Sequence, residues 1–394
     1  MQHSEFPIIR VAVPSPLRRT FDYRLPEQTA SDTDGQIPQV GSRVTVDFGR
    51  RRVVALVIEI AEASELAADK LKPIVAVIDA APLLPEKLFK LFIWAANYYQ
   101  HPIGEALFTT LPTLIRKGEL PPSLTTPCWE LTHLGQGLGP DSLKRAPKQR
   151  ALIELMRGCA APIPDSQLSQ QFSRNIINQL KQKALIASIE VDDNRGSTSD
   201  QILKNPSLQL DQQQQTALDK IEFHHFASYL LDGVTSSGKT EVYLQSIEKV
   251  LRYGRQSLVL IPEISLTPQS EKRFLNRFNV PVVILHSGMT DNARLKAWEQ
   301  ARSGHAKIIL GTRSAVFTPL CEPGLIVLDE EHDQSYKQQE GFKYSARDLA
   351  VMRAQRENIP IVLGSATPSL ASLNNCAPGR YTHLPLKARA GNAS

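Results

Sequence analysis

In the stretch DGVTSSGKTEVY, residues 232–243, Gly233, Gly238, Lys239 and Thr240 fit the spacing GxxxxGK[ST], which can hold phosphate. Glycines let a loop turn successive N–H groups onto an anion, and a helix that begins at the lysine adds the partial positive charge of its N-terminus. Ser236 and Ser237 complete the loop. Lys239 would hold the β- and γ-phosphates of ATP, and Thr240 would ligate Mg2+. The apolar run 229–231 before the loop and the helical run TEVYLQSIEKVL after it supply strand, loop and helix in the order this chemistry needs.

A second cluster lies in GLIVLDEEHDQSYKQQEGFKY. Asp329 stands at the carboxyl end of an apolar strand, where open parallel sheets place their ligands, and would hold the Mg2+. Glu330 would orient or deprotonate the attacking water. Glu331 and His332 complete the acidic run. After the apolar run 361–363, the GSAT turn offers Ser365 and Thr367, which with His332 would couple the state of the phosphate to a neighbouring surface. Acidic residues after a strand, or a GSAT turn, are ordinary by themselves; downstream of a phosphate loop they form a set.

Three further segments point to nucleic acid. PEISLTPQ and GTRSAVF each follow a strand, and their hydroxyls, amides and Arg313 would grip a phosphate backbone. The alternative is a pair of strand-to-helix turns closed by capping residues. DQSYKQQEGFKYSARD interleaves Tyr336, Phe342 and Tyr344 with Lys337, Lys343 and Arg347. That mixture suits single-stranded DNA, with bases on aromatic faces and phosphates on cations; equally, such a cluster can anchor a loop to a core. Arg50, Arg51 and Arg52 follow Gly49 at an expected hairpin tip, either against a duplex backbone or as a solvated turn.

The elements that must position these residues divide into three parts. Residues 8–13, 21–25, 43–48, 53–60 and 74–78 read as short strands, and from residue 85 Leu88, Leu91, Phe92, Ala95 and Tyr99 fall on one helical face. This predicts a small β-rich domain over 1–112, closed by a helix. Residues 111–145 show no sustained period and read as a linker or irregular lead-in. Beyond them Leu168, Phe172, Ile176 and Leu180 repeat every four positions ahead of a strand at 184–189, which predicts a winged-helix domain within 113–200. The polar stretch 191–207 is a boundary. From 201 to 394, apolar runs at 229–231, 257–261, 282–285, 307–310, 325–328 and 361–363 alternate with helical patterns, which predicts a parallel α/β sheet.

A length of 394 residues calls for two or three such domains, and a net charge of +5 permits a polyanionic partner without demanding one. The four cysteines, Cys128, Cys159, Cys321 and Cys376, form no CxxC pair, so spacing gives neither a zinc site nor a disulfide framework. Reduced thiols, a start without a signal-like apolar region and no long apolar run point to a cytoplasmic protein with no membrane partner.

Taken with PSPLRRTFDYRLP, DFGR, WAANYYQHPIGEAL, LKRAPKQ, LHSGM and RAGNA, these motifs resemble the N-terminal part of the PriA family, the bacterial primosomal proteins of helicase superfamily 2. The resemblance runs from about residue 8 to the end. It implies an ATP-dependent 3′-to-5′ DNA helicase that recognises stalled or branched replication forks and initiates primosome assembly. It also implies an N-terminal pocket for the 3′ end of a nascent strand, lined by Phe21, Asp22, Tyr23, Gly49 and Lys72, with Asp22 bonding the 3′-hydroxyl and repelling a phosphate. A winged helix and a first RecA-like lobe follow from the family. So does a glutamine upstream of the phosphate loop that reads adenine, for which Gln214 in LDQQQQTAL is favoured. Implied partners are forked DNA with a 3′ end, single-stranded DNA, single-stranded DNA-binding protein and other primosome proteins. The second lobe, the cysteine-rich zinc-binding insertion and the C-terminal domain of the family have no counterpart in these residues, so zinc is expected only for the longer family members. Two rival readings stand beside this one: a non-catalytic fork-DNA- and nucleotide-binding module, and a double-strand DNA translocase without unwinding.

Overall fold

The computed structural model describes residues 3–26, 37–139, 143–144, 146–159, 161–192 and 201–389. Arg145 of LKRAPKQ, residues 193–200 of the polar stretch expected at 191–207 and RAGNA from residue 390 lie outside them. The chain divides into two compact units, one of Met1–Pro122 with Ser199–Ser394 and one of Ser123–Thr198.

The first unit begins with an antiparallel sheet of β1 (His3–Ala12), β2 (Phe21–Arg24), β3 (Arg43–Phe48), β4 (Arg51–Ala63) and β5 (Ala76–Val77), in the order β2-β1-β4-β3-β5. Alternation of apolar and polar residues puts Ile9, Val11, Val44, Val46, Ala55 and Val57 on the buried face. β3 and β4 form the expected hairpin. Its tip is Gly49-Arg50, and Gly49 takes φ +61, a conformation that glycine adopts without the Cβ penalty. Helices α1 (Glu86–Tyr98), α2 (Ile103–Thr109) and α3 (Thr113–Arg116) follow. Pro85, Pro102 and Pro112 each stand immediately before one of these helices, where a missing N–H costs nothing. The apolar stripe of α1 is buried as the spacing predicts. The buried Arg43 joins the sheet to α3, donating to both carboxylate oxygens of Asp79 and to the carbonyls of Ile115 and Glu119.

The second unit has an antiparallel sheet of β6 (Thr125–Leu131), β7 (Ile163–Pro164) and β8 (Ile186–Asp192), with α4 (His133–Gln136), α5 (Pro147–Arg157), α6 (Asp165–Gln171) and α7 (Arg174–Gln182). Its core gathers Trp129, Leu152, Ile153, Leu168, Ile177 and Leu180. Residues 111–145, expected to be irregular, contain α3, β6 and α4. The strand TTPCWEL escaped because its buried Cys128 and Trp129 lie between the exposed Pro127 and Glu130, with no alternation of apolar and polar residues, and a proline interrupts it.

The rest of the first unit is α8 (Gln212–Lys220), β9 (Ser228–Gly233), α9 (Lys239–Arg252), β10 (Gln256–Leu260), α10 (Pro268–Arg277), β11 (Val282–Leu285), α11 (Asp291–Arg302), β12 (Ile308–Gly311), β13 (Pro323–Leu328), α12 (Ala346–Glu357), β14 (Ile361–Ser365), α13 (Leu370–Cys376) and β15 (Tyr381–Leu386). The strands form one sheet, β11-β12-β10-β13-β14-β9-β15, in which all pairs are parallel. The strand order brings β13, β14 and β9 side by side, although their sequences lie far apart. Leu328 pairs with Leu363, and Ser365 with Asp232, so the residues after all three strands meet at one edge of the sheet. α1 packs on this part through a shared core that includes Phe92, Phe317, Phe342 and Tyr344.

Candidate nucleotide and DNA-binding sites

The loop after β9 is set by two left-handed residues, Ser236 at φ +65 and Gly238 at φ +80. Gly238 is the residue before α9, and the conformation lets the loop close onto the helix start. Gly233 is required by contact as well: a Cβ there would lie 2.4 Å from Ser237 Oγ. Lys239 is buried and its Nζ donates to the Gly233 carbonyl at 2.7 Å, which leaves two of the three ammonium protons unspent. Ser237 Oγ is buried without a hydrogen-bond partner, and the first N–H groups of α9 have none within the helix. These donors, with Thr240, Asp329 and Glu330, line one cavity of about 790 Å3. An orphaned hydroxyl, a buried ammonium and open helix N–H groups fit a polyphosphate, and the Thr240 hydroxyl beside the Asp329 carboxylate fits a Mg2+ that accompanies it.

Asp329 sits at the end of β13, and its Oδ1 accepts from the Tyr243 hydroxyl at 3.0 Å. Burial, then the neighbouring Glu330, pushes the Asp329 carboxyl above its ordinary value. Tyr243 lies one turn after Lys239 on α9, so the helix that starts the phosphate loop also props the acidic residue. Glu330 is held at φ +46, an uncommon conformation for a residue with a side chain, which the flanking contacts impose. On one side the Tyr336 hydroxyl reaches the carbonyls of Asp329, at 2.7 Å, and Leu260, at 3.0 Å. On the other, Glu331 is fully buried and accepts from the Ser369 amide, the hydroxyls of Ser369 and Ser372, and Arg347 of α12. His332 Nδ1 lies 2.7 Å from Ser365 Oγ, which also accepts from the Thr367 amide at 3.0 Å. Glu330 Oε2 is 3.6 Å from the same Nδ1, beyond hydrogen-bond distance but beside the bonded group of His332, Ser365 and Thr367.

Several expected contacts are corrected. Tyr336, Phe342 and Tyr344 are 2%, 3% and 5% exposed, so their faces cannot receive bases. Phe342 packs against Tyr99, His101, Phe317 and Tyr344, and the alternative of a core anchor is what the aromatic spacing encodes. Arg313 is turned to the carbonyls of Ser335 and Lys337, at 3.0 and 3.3 Å, and clasps this segment. Lys337 and Lys343 remain exposed. Gln214 is buried and its amide is spent within the fold: the nitrogen donates to the Ser237 carbonyl and the oxygen accepts from the Asp211 amide. It braces the phosphate loop from behind and is not in the cavity wall. Thr267 and Ser270 of the PEISLTPQ region form a capping box for α10.

At the β-rich sheet, Phe21, Asp22, Tyr23, Gly49 and Lys72 line a single cavity of about 640 Å3, together with Arg10, Arg19, Phe48 and Lys70. Phe21 and Phe48 meet edge to face at 4.8 Å, and the Arg19 guanidinium stands 5.1 Å from the Phe21 ring. The Tyr23 hydroxyl donates to the Asp47 carbonyl, so this buried ring is the floor. Asp22 accepts from Arg10 at 2.9 and 3.3 Å and from Ser64 Oγ at 2.7 Å. A carboxylate has about four acceptor positions, so one remains on this cavity-lining residue. Arg10 and Ser64 were not legible in the sequence. Arg10 stands directly opposite Asp22 only once the register of β1 and β2 is known.

None of the four cysteines is in a disulfide, and among the described residues no group of three or more His, Cys, Asp or Glu could hold a metal, so zinc finds no support here. No described helix is long and apolar enough to cross a membrane.

Comparison with known proteins agrees with this geometry. Residues 10–112 match the 3′ DNA-binding domain described for PriA, and residues 211–376 match the DEAD/DEAH box helicase family. The chain is 44% identical to the replication restart protein PriA of Haemophilus influenzae, over 98% of this chain and 53% of that protein. It is 31% identical to that of Bacillus subtilis, over 95% of this chain and 54% of that protein. The chain thus spans about half the length of these relatives. With a 3′ DNA-binding domain followed by a DEAD-type helicase domain, it belongs to the PriA family and corresponds to the N-terminal half of those proteins.

Proposed function

We propose that this chain supplies the DNA-end-recognition and first motor parts of an ATP-dependent 3′-to-5′ DNA helicase that acts at stalled or branched replication forks and starts primosome assembly. The observation that carries this reading is the presence, within one compact unit, of a phosphate-binding loop facing Asp329 and Glu330 and of a separate cavity walled by Phe21, Asp22, Gly49 and Lys72.

ATP with Mg2+ supplies the phosphoanhydride whose cleavage drives movement. Lys239 and the first N–H groups of α9 bind the phosphates, and Thr240 and Asp329 hold the metal. Glu330, kept off the helical conformation by its neighbours, orients a water and takes its proton. His332, Ser365 and Thr367 carry the state of Glu330 toward the surface beyond β14. In the other cavity Asp22, fixed by Arg10 and Ser64, accepts from a 3′-hydroxyl, while its charge repels a 3′-phosphate. Phe21 packs on the terminal base, and Lys72 meets the backbone. The compact unit of residues 123–198, with α5, α6 and α7 against a three-stranded sheet, is assigned as a winged-helix element that contacts duplex DNA. Lys337 and Lys343 are assigned to the single strand as cations without an aromatic platform. Single-stranded DNA-binding protein and other primosome proteins are partners of the assembled machine.

The test is equilibrium binding of forked DNA whose nascent strand ends at the junction in a 3′-hydroxyl or a 3′-phosphate. The wild-type chain should prefer the hydroxyl, and Asp22→Ala should lose the preference. Equal binding of both ends by the wild type rejects the assignment of the pocket.

A further inference from the structure

α10 borders the phosphate-loop cavity with Arg273, Asn276 and Arg277, residues at the spacing of one helical face. The helix is seated in the core by the buried Phe274, and its N-terminus is fixed by the Thr267–Ser270 capping box. Arg277 clamps α10 to the first turn of α9: its Nη1 and Nη2 donate to the two Glu241 oxygens at 3.0 and 2.5 Å, with both side chains nearly buried. Glu241 accepts as well from the Leu208 amide and from Gln245. The helix that carries Arg273 is therefore held against the helix that begins at Lys239.

Three cations line the cavity, and two are engaged. Lys239 donates to Gly233, and the charge of Arg277 is answered by Glu241. Arg273 is exposed and, among the described residues, makes no side-chain hydrogen bond or ion pair. Its neighbours three and four positions away on α10 are Gln269, Ser270, Asn276 and Arg277, none of them acidic. Arg273 also lines a smaller cavity of about 210 Å3 beside the first, and the residues common to both are Thr240, Arg273 and Asp329. The free guanidinium thus stands at the metal and terminal-phosphate end of the site and not at its Pro206 and Leu208 end.

We infer that Arg273 is a ligand of the nucleotide's terminal phosphates, a cation supplied from α10 in addition to Lys239. Its planar fork suits two phosphate oxygens. The inference rests on the reading of the loop 233–240 as a nucleotide site and adds a residue outside the loop and the acidic run.

The experiment measures the affinity of the full chain for Mg2+·ATP, Mg2+·ADP and AMP by competition against a fluorescent ADP, for wild type, Arg273→Gln, Arg273→Lys and Lys239→Ala. Thermal unfolding shows that each variant is folded. Arg273→Gln should weaken ATP by about ten- to a hundredfold, the range of a hydrogen bond to a charged group, and ADP by less. AMP should change by less than about twofold, since the lost contact is charge-assisted and lies at the terminal phosphates. Arg273→Lys should fall between. Equal losses for all three nucleotides, or none, overturn the inference. So does an unchanged ATP affinity with weakened binding of a single-stranded oligonucleotide, which would make Arg273 a DNA contact. Unchanged affinity in Lys239→Ala removes the nucleotide site itself; loss in Lys239→Ala with no loss in Arg273→Gln rejects Arg273 alone.

Discussion

Gly364→Ala is the sharpest perturbation the structure offers, because the space beside Gly364 is already filled. A Cβ there would lie 1.5 Å from the Tyr243 hydroxyl oxygen, 2.7 Å from its Cζ and 3.4 Å from Asp329 Oδ1. Tyr243 is 2% exposed and cannot swing into solvent, so its ring must shift and its hydrogen bond to Asp329 must break. Overpacking costs about 1–3 kcal/mol, and a lost hydrogen bond to a charged group about 1.5–3 kcal/mol. The expected total, about 2.5–6 kcal/mol, is a large part of a typical domain stability. Tyr243→Phe alone should cost about 1.5–3 kcal/mol, the hydrogen bond only. In the double variant the hydroxyl is already gone and the nearest clash with it, so the two effects should fall short of additivity by at least about 1 kcal/mol. The assay is urea unfolding followed by Trp298, 3% exposed, in a Trp94→Phe, Trp129→Phe background. Additivity of the two substitutions would refute the contact between Gly364, Tyr243 and Asp329 as the link between β14, α9 and β13.

Three further outcomes follow from named contacts. The raised Asp329 pKa means that the folded chain binds this proton more tightly than the unfolded chain. Stability is therefore lost as pH rises from the ordinary carboxylate range through the raised value. Asp329→Asn should raise the urea midpoint at neutral pH, lose that advantage as pH falls below the ordinary carboxylate value, and weaken Mg2+-dependent nucleotide binding. Phe342→Ala should destabilise the first unit by about 3–5 kcal/mol, as for a buried ring, with thermal unfolding as the readout, and should leave single-stranded DNA affinity of the folded chain unchanged. Asp79→Ala leaves Arg43, 0% exposed, without its carboxylate and should cost about 3–5 kcal/mol in urea unfolding.

The loop 233–240 was legible because its residues are contiguous in sequence and lie between an apolar strand and a helical run. Spacing alone joins Gly233 to Thr240, and the six strands expected in the parallel sheet all form. β15 was missed because YTHLPL is an edge strand with exposed Thr382 and His383 and a proline at 385, which lacks the usual two-sided apolar run. The aromatic run Tyr336 to Tyr344 was ambiguous by nature, since stacking on bases and packing in a core use the same residues. What decides it is the end of α1, which arrives from more than two hundred positions earlier and brings Tyr99 against Phe342, while Phe92 of the same helix packs on the neighbouring Phe317. Gln214 was read for its likeness to a base-reading glutamine, and its two local hydrogen bonds become apparent only when the capping box of α8 is seen beside Ser237. Tyr243, Ser64 and Arg10 act through tertiary placement, and their types alone mark nothing.

The central claim is that the loop between β9 and α9 is a nucleotide-phosphate cradle completed by the acidic end of β13. Its most direct test is calorimetric titration of Mg2+·ATP into the wild-type chain and into Lys239→Ala. The account predicts one binding event per wild-type chain, weakened at least about a hundredfold by loss of the buried ammonium, whose charged hydrogen bonds to phosphate are each worth about 1.5–3 kcal/mol. Equal affinity in the two proteins would contradict it and leave Lys239 as a structural tie to Gly233.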